Sequence, residues 1–152
     1  MKKLILLAFV IAAFAVACND NNQPAASNSA AQAATPAAPV DNSPYAAGKG
    51  VYQRTCIICH QPDGTGMEGT YPPLAKSDYL LSDKVRAIHQ VLKGSSYPIT
   101  VNGKTFNGVM PAQKNLSDDD VANVLSYVAH NFGNDGYTVT SAEVKAIRDT
   151  IK

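Results

Sequence analysis

Cys56-Ile57-Ile58-Cys59-His60 constrains this chain more than any other stretch of its sequence. C-x-x-C-H is the attachment pattern of a c-type haem. The chemistry demands that spacing. Two thiols add to the two vinyl groups along one porphyrin edge, and the adjacent His lies under the ring with its imidazole on iron. A bare C-x-x-C also serves as a redox disulfide or as half of a zinc site. Zinc would require more Cys or His at ligand spacing, and the chain has only Cys18, His89 and His130 to add. A thioredoxin-like motif would sit beside a βαβ pattern, which is absent from the sequence. The expectation is one covalent haem c on Cys56 and Cys59, with His60 as the proximal iron ligand.

The third cysteine is explained at the N-terminus. Met1-Lys2-Lys3 precedes an unbroken apolar run from Leu4 to Val16, the layout of an export signal. The run is shorter than the roughly 20 residues of a membrane-spanning helix. Ala15-Val16-Ala17-Cys18 then resembles the lipobox of bacterial lipoproteins, with Ala15 where Leu is more usual. That resemblance implies cleavage before Cys18 and lipid attachment to it, so that residues 1–17 are a signal peptide. It places the protein outside the cytoplasm, anchored to a bacterial membrane with its domain in the periplasm or at the cell surface. Residues 18–43 are rich in Ala, Asn, Ser, Gln and Pro, with no large hydrophobe before Val40. Such a segment cannot offset its ordering entropy by burial. It reads as a flexible linker spanning roughly 25–30 Å. The chain has 13 basic and 12 acidic residues, and loss of Lys2 and Lys3 would leave the acids one ahead. No clustered basic face suggests nucleic acid.

The folded domain is expected over residues 44–152, as helices joined by loops. Pro44 suits a first helical turn, followed by Tyr45, Gly48, Val51 and Tyr52 at helical spacing. A second helix is predicted from Ser82 to Lys93, with Leu81, Val85, Ile88 and Leu92 as its inner stripe and Gly94 as its stop. Ser117 with Asp118, Asp119 and Asp120 opens a third, whose buried face is Val121, Val124, Leu125, Val128 and Phe132. Thr140 and Glu143 form a capping box for a last helix with Val144, Ile147 and Ile151 inward. Between the second and third helices the period changes. Ile99 to Phe106 reads as two short strands around Asn102-Gly103, a favoured hairpin turn.

A haem iron held by His60 takes a sixth ligand or stays open. Met67 lies seven residues past His60, and a chain that close would have to pass round the ring edge to reach the other face. Met67 is therefore read as a core gap-filler. Met110 lies fifty residues on, at the end of the hairpin and stiffened by Pro111, and is the expected axial thioether. His89, off the apolar stripe, reads as a partly exposed surface residue. His130 falls in the last turn of the third helix, where an imidazolium suits the dipole.

From Pro44 to Lys152 the chain resembles class I cytochrome c, which implies an all-α cytochrome c fold with a small β-hairpin inserted before the distal Met loop. The resemblance rests on the C-x-x-C-H motif, the helix order and the Gly48/Tyr52 and Val124/Tyr127 positions where first and last family helices cross. It also rests on Tyr71-Pro72-Pro73-Leu74, similar to the loop whose Pro carbonyl accepts a hydrogen bond from the proximal His. That role falls to Pro72. His60 to Gly66, the hairpin and Val109-Met110-Pro111 narrow the likeness to bacterial domains, free-standing or fused to copper nitrite reductases and other periplasmic oxidoreductases.

The resemblance implies respiratory electron transfer. A six-coordinate His/Met iron leaves no place for substrate, so the expected role is electron carrier rather than enzyme. The expected partners are redox proteins: a copper nitrite reductase, an oxidase or a quinol-oxidising complex. The alternatives are a catalytic or sensory haem with a labile Met110, or a haem-bearing subunit of a larger oxidoreductase. Lys49, Arg54, Lys76, Lys104 and Lys114 are possible rim charges, with ordinary solvated charge as the default reading. Asn115-Leu116-Ser117 matches a glycosylation acceptor and is read as a helix cap.

Overall fold

A computed structural model describes residues 43–151. The expected signal peptide, Cys18 and the linker through residue 42 lie outside the described residues. Within them the helices are α1 Ala46–Thr55, α2 Ile57–His60, α3 Asp78–Ser82, α4 Lys84–Lys93, α5 Asp118–Ala129 and α6 Ser141–Arg148. The hairpin β1 Ile99–Val101 and β2 Lys104–Phe106 lies between α4 and α5. No helix among the described residues is long and apolar enough to cross a membrane.

The framework is the crossing of α1 and α5. Gly48 makes it possible, because a Cβ there would lie 2.1 Å from the Asn123 carbonyl oxygen and 2.6 Å from Tyr127 Cβ. Close approach then buries Val51 and Tyr52 against Val121, Val124, Leu125 and Val128. Tyr52 packs tilted against Tyr127 and Phe132, with centroids at 5.6 and 5.2 Å. Its hydroxyl donates to the Gln61 carbonyl at 2.5 Å. The crossing thus grips the residue that follows His60. Pro44 does not enter the first turn. It precedes the helix, and Tyr45 occupies the N-cap without a side-chain cap.

The helix predicted from Ser82 to Lys93 forms as α4, starting two residues later, and a short helix that was not predicted, α3, precedes it across a break at Asp83. Asp83 is extended (φ −152°, ψ 100°) and its carboxylate accepts from the Arg86 amide, so it caps α4 and ends α3. Ser77 caps α3 in the same way through the Leu80 amide. The break rotates α4: Ala87, Ile88, Val91 and Leu92 are buried, and Val85, expected inward, is 53% exposed. The hairpin forms as predicted, with Ile99 opposite Phe106 and Val101 opposite Lys104. Asn102 and Gly103 take the paired positive φ values of a tight turn. The expected Thr140/Glu143 capping box is present, and Ser117, expected only as a cap, forms a second box with Asp120. Phe132 is not part of the α5 face. It lies beyond the helix end at φ 58° and packs edge-on to Tyr127.

Candidate haem site

α2 continues almost directly from α1, with Cys56 at the joint donating its amide to the Tyr52 carbonyl. One turn later the His60 amide bonds the Cys56 carbonyl at 3.0 Å, which places the imidazole at the helix end. His60 is buried and its Nδ1 donates to the Pro72 carbonyl at 3.0 Å. A proton held on Nδ1 leaves Nε2 with the lone pair, the form that ligates a metal. Burial lowers the His60 pKa, opposed in part by that hydrogen bond, which favours the neutral ring. Burial also pushes the Cys56 thiol up to about 11, with Cys59 adding to the effect.

Met110 comes from the other side of the chain's path. Ser95 and Met110 exchange both backbone hydrogen bonds, each at 2.8 Å. Gly94 allows it. Its φ is +74°, and a Cβ there would meet the Met110 carbonyl oxygen at 2.3 Å. The helix-stop glycine of α4 is therefore also the place where the Met110 strand passes. Upstream, Gly108 donates to the Thr70 carbonyl at 2.9 Å, joining this strand to the loop that carries Pro72. The hairpin is held in turn by Asp78 and Asn102, which exchange backbone-to-side-chain hydrogen bonds.

These elements surround one cleft enclosing about 1240 Å³, part of it open to solvent. It brings together Cys56, Cys59, His60, Pro72 and Met110. Leu74, Leu80, Val101, Phe106, Leu125 and Val128 give it apolar walls. A large flat apolar group with a metal centre fits that lining, with thiols and a fixed imidazole available to it. One further residue fits the same group from its polar side. Arg86 lines the cleft, lies 3.9 Å over the Tyr79 ring and donates to the Tyr79 carbonyl and to Ser82 Oγ. Its Nε is buried with no hydrogen-bond partner among the described residues. A buried guanidinium N–H calls for an anionic acceptor, and a haem brings two carboxylates. The sequence offered no sign of this, since an Arg on an amphipathic helix reads as solvated.

The other expected residues fall elsewhere. Met67 is neither core filler nor cleft residue. It is 49% exposed and pairs in a short bridge with Tyr71, because the tight loop after His60 keeps it at the surface. His89 is half-buried and does not line the cleft. His130 stacks on Tyr45 with centroids 4.8 Å apart, also outside the cleft. None of Lys49, Arg54, Lys76, Lys104 and Lys114 lines the cleft, and Lys104 is paired with Glu68 at 2.8 Å. Cys18 lies outside the described residues.

The family model for cytochrome c matches residues 45–131, which include every residue of the cleft. The chain is 35% identical over 102 residues to cytochrome c-552 of Thermus thermophilus, covering 61% of this chain and 78% of that protein. It is 32% identical over 106 residues to the cytochrome c subunit of a quinone alcohol dehydrogenase from Gluconobacter oxydans, covering 68% of this chain. A fructose dehydrogenase cytochrome subunit of Gluconobacter japonicus is 29% identical over 116 residues. The match spans only 22% of either dehydrogenase subunit. With C-x-x-C-H, the buried imidazole and the apolar cleft all inside the matched region, the chain belongs to the cytochrome c family, as a class I c-type cytochrome with one covalently bound haem c.

Proposed function

We propose that this protein is a membrane-tethered electron carrier whose haem c is joined to Cys56 and Cys59 and whose iron is held by His60 and Met110. The observation that carries the reading is the convergence of these four side chains, from segments up to fifty-four residues apart, on one apolar cleft. The haem supplies an iron that cycles between ferric and ferrous states, one electron at a time. The chain does the rest. Pro72 orients the His60 ring and keeps its proton on Nδ1. The Ser95 bridge positions the Met110 backbone, and the aliphatic walls exclude water and favour the less charged ferrous state. Arg86, with its buried and unpartnered Nε, would offer a donor to a haem carboxylate. Val109, which lines the cleft and is 63% exposed, offers an apolar edge through which a partner approaches. Cys18 supplies the lipid tether, and the protein works in the periplasm or at the cell surface. Its partners are redox proteins: a sugar or alcohol dehydrogenase, as the names of its relatives suggest, or a copper nitrite reductase.

The test is spectroscopic. The exported holoprotein is expected to show, when oxidised, the weak far-red charge-transfer band of thioether bound to ferric iron. Met110→Ala should abolish that band while haem staining in a denaturing gel persists. A wild-type protein without the band would overturn His/Met ligation and the carrier reading with it. The relatives' subunit names favour a second reading, in which the protein is the haem subunit of a dehydrogenase complex. Co-migration of haem with a dehydrogenase activity in mild detergent would identify that case.

A further inference from the structure

The family match ends at residue 131, yet α6 lies beyond it and is docked firmly. Val144 is fully buried, and Ile147 and Ile151 pack on the core. Two ion pairs bolt this helix down, one near each end, and Ser141 also donates to Asp119. Lys84 of α4 pairs with Glu143 at 2.5 Å. Arg148 acts differently, because its Nε donates to Asp118 at 2.7 Å and its Nη2 to the Leu116 carbonyl at 2.8 Å.

Leu116 belongs to the irregular segment that leads from Met110 into α5, and it lines the cleft. That segment has few anchors. The Ser95 bridge holds its start, and the Gln113 amide bonds the Val91 carbonyl at 2.9 Å near its middle. Leu116 donates to the Gln113 carbonyl, an internal contact only. Arg148 ties down the far end. With its far end untied, the segment keeps, among the described residues, only the Ser95 and Val91 bonds to resist movement at Met110. We infer that Arg148 is a positioning residue for the axial ligand: α6 clamps the Met110 loop and resists displacement of the thioether. The inference rests on the reading of Met110 as ligand.

Added imidazole competes for the same coordination position, so its apparent affinity reports how readily the loop opens. In the holoprotein, Arg148→Gln should raise imidazole affinity about three- to tenfold, the effect of losing a partly exposed charge-assisted hydrogen bond. Arg148→Lys, which keeps the charge and one donor head, should lie between wild type and Arg148→Gln. Lys84→Met is the control. It breaks the other bolt of the same helix, so it should lower the thermal midpoint and leave imidazole affinity unchanged. Unchanged affinity in Arg148→Gln, with the far-red band present in the wild type, would overturn the clamp alone. Equal rises in Arg148→Gln and Lys84→Met would also overturn it, as general loosening. A wild type lacking the band would overturn the Met110 reading and the clamp together.

Discussion

Single side chains in this protein do their work through what holds them. His60 is a candidate iron ligand because Pro72 orients its tautomer and burial favours its neutral form. Glu143 shows the same dependence on partners in its titration. Lys84, then the Thr140 amide and hydroxyl, hold its carboxyl down at about 2, against an ordinary value of 4.5. A depressed folded-state pKa contributes stability above the unfolded value and loses it as pH falls through the folded one. The gap in thermal midpoint between wild type and Glu143→Gln should therefore be present near neutral pH. It should close as pH falls from about 4.5 toward 2. The pair's side chains are about a third exposed, so the contribution is modest, about 1 kcal/mol or less. Melting curves across that range check it, and a gap independent of pH would refute it. Local chemistry made several of these residues legible in advance. C-x-x-C-H and the Thr140/Glu143 box depend on neighbours within a few positions. Arg86 and Arg148 were not legible, because each matters through a group far away in the chain: the cleft for one, the Leu116 carbonyl for the other.

Elements divide along the same line. The hairpin and the N-termini of α5 and α6 follow from turn and cap residues, and they appear where those residues stand. The α3/α4 break escaped the periodicity argument because the apolar stripe continues across it. Asp83 was the available signal, an N-cap residue inside a predicted helix. Gly94 was legible as a stop, but its second task was not. Its φ and ψ of 74° and −174° are nearly restricted to glycine, and the Met110 carbonyl occupies the space beside it. Gly94→Ala should destabilise the protein by about 2–3 kcal/mol from backbone strain and overpacking. It should also weaken the far-red band, since the strand must shift. Chemical denaturation and the oxidised spectrum measure both. A variant of wild-type stability would show that the strand can move aside at little cost.

At the scale of the whole molecule, charge is nearly balanced, with a formal +1 for the full sequence. The exposed residues Ile58 and Val109 are apolar, and no lysine lines the cleft. Strong electrostatic steering changes association rates by 10–10³-fold. Electron self-exchange between oxidised and reduced copies, followed by NMR line broadening, should change by less than about tenfold between low and high salt. A steeper dependence would point to a charged docking face. The sequence by itself determined the haem chemistry, the helical class and the hairpin, while the pairing of His60 with Pro72 was implied only by the family resemblance. The first three are written in short-range spacing or in a motif whose chemistry admits few alternatives. Only the tertiary structure decided that Val85 faces solvent, that Met67 stays at the surface and that Arg86 turns its Nε inward. It also decided that α6 reaches the Met110 loop. Those outcomes depend on how helices rotate and which backbones meet, and long-range packing sets both.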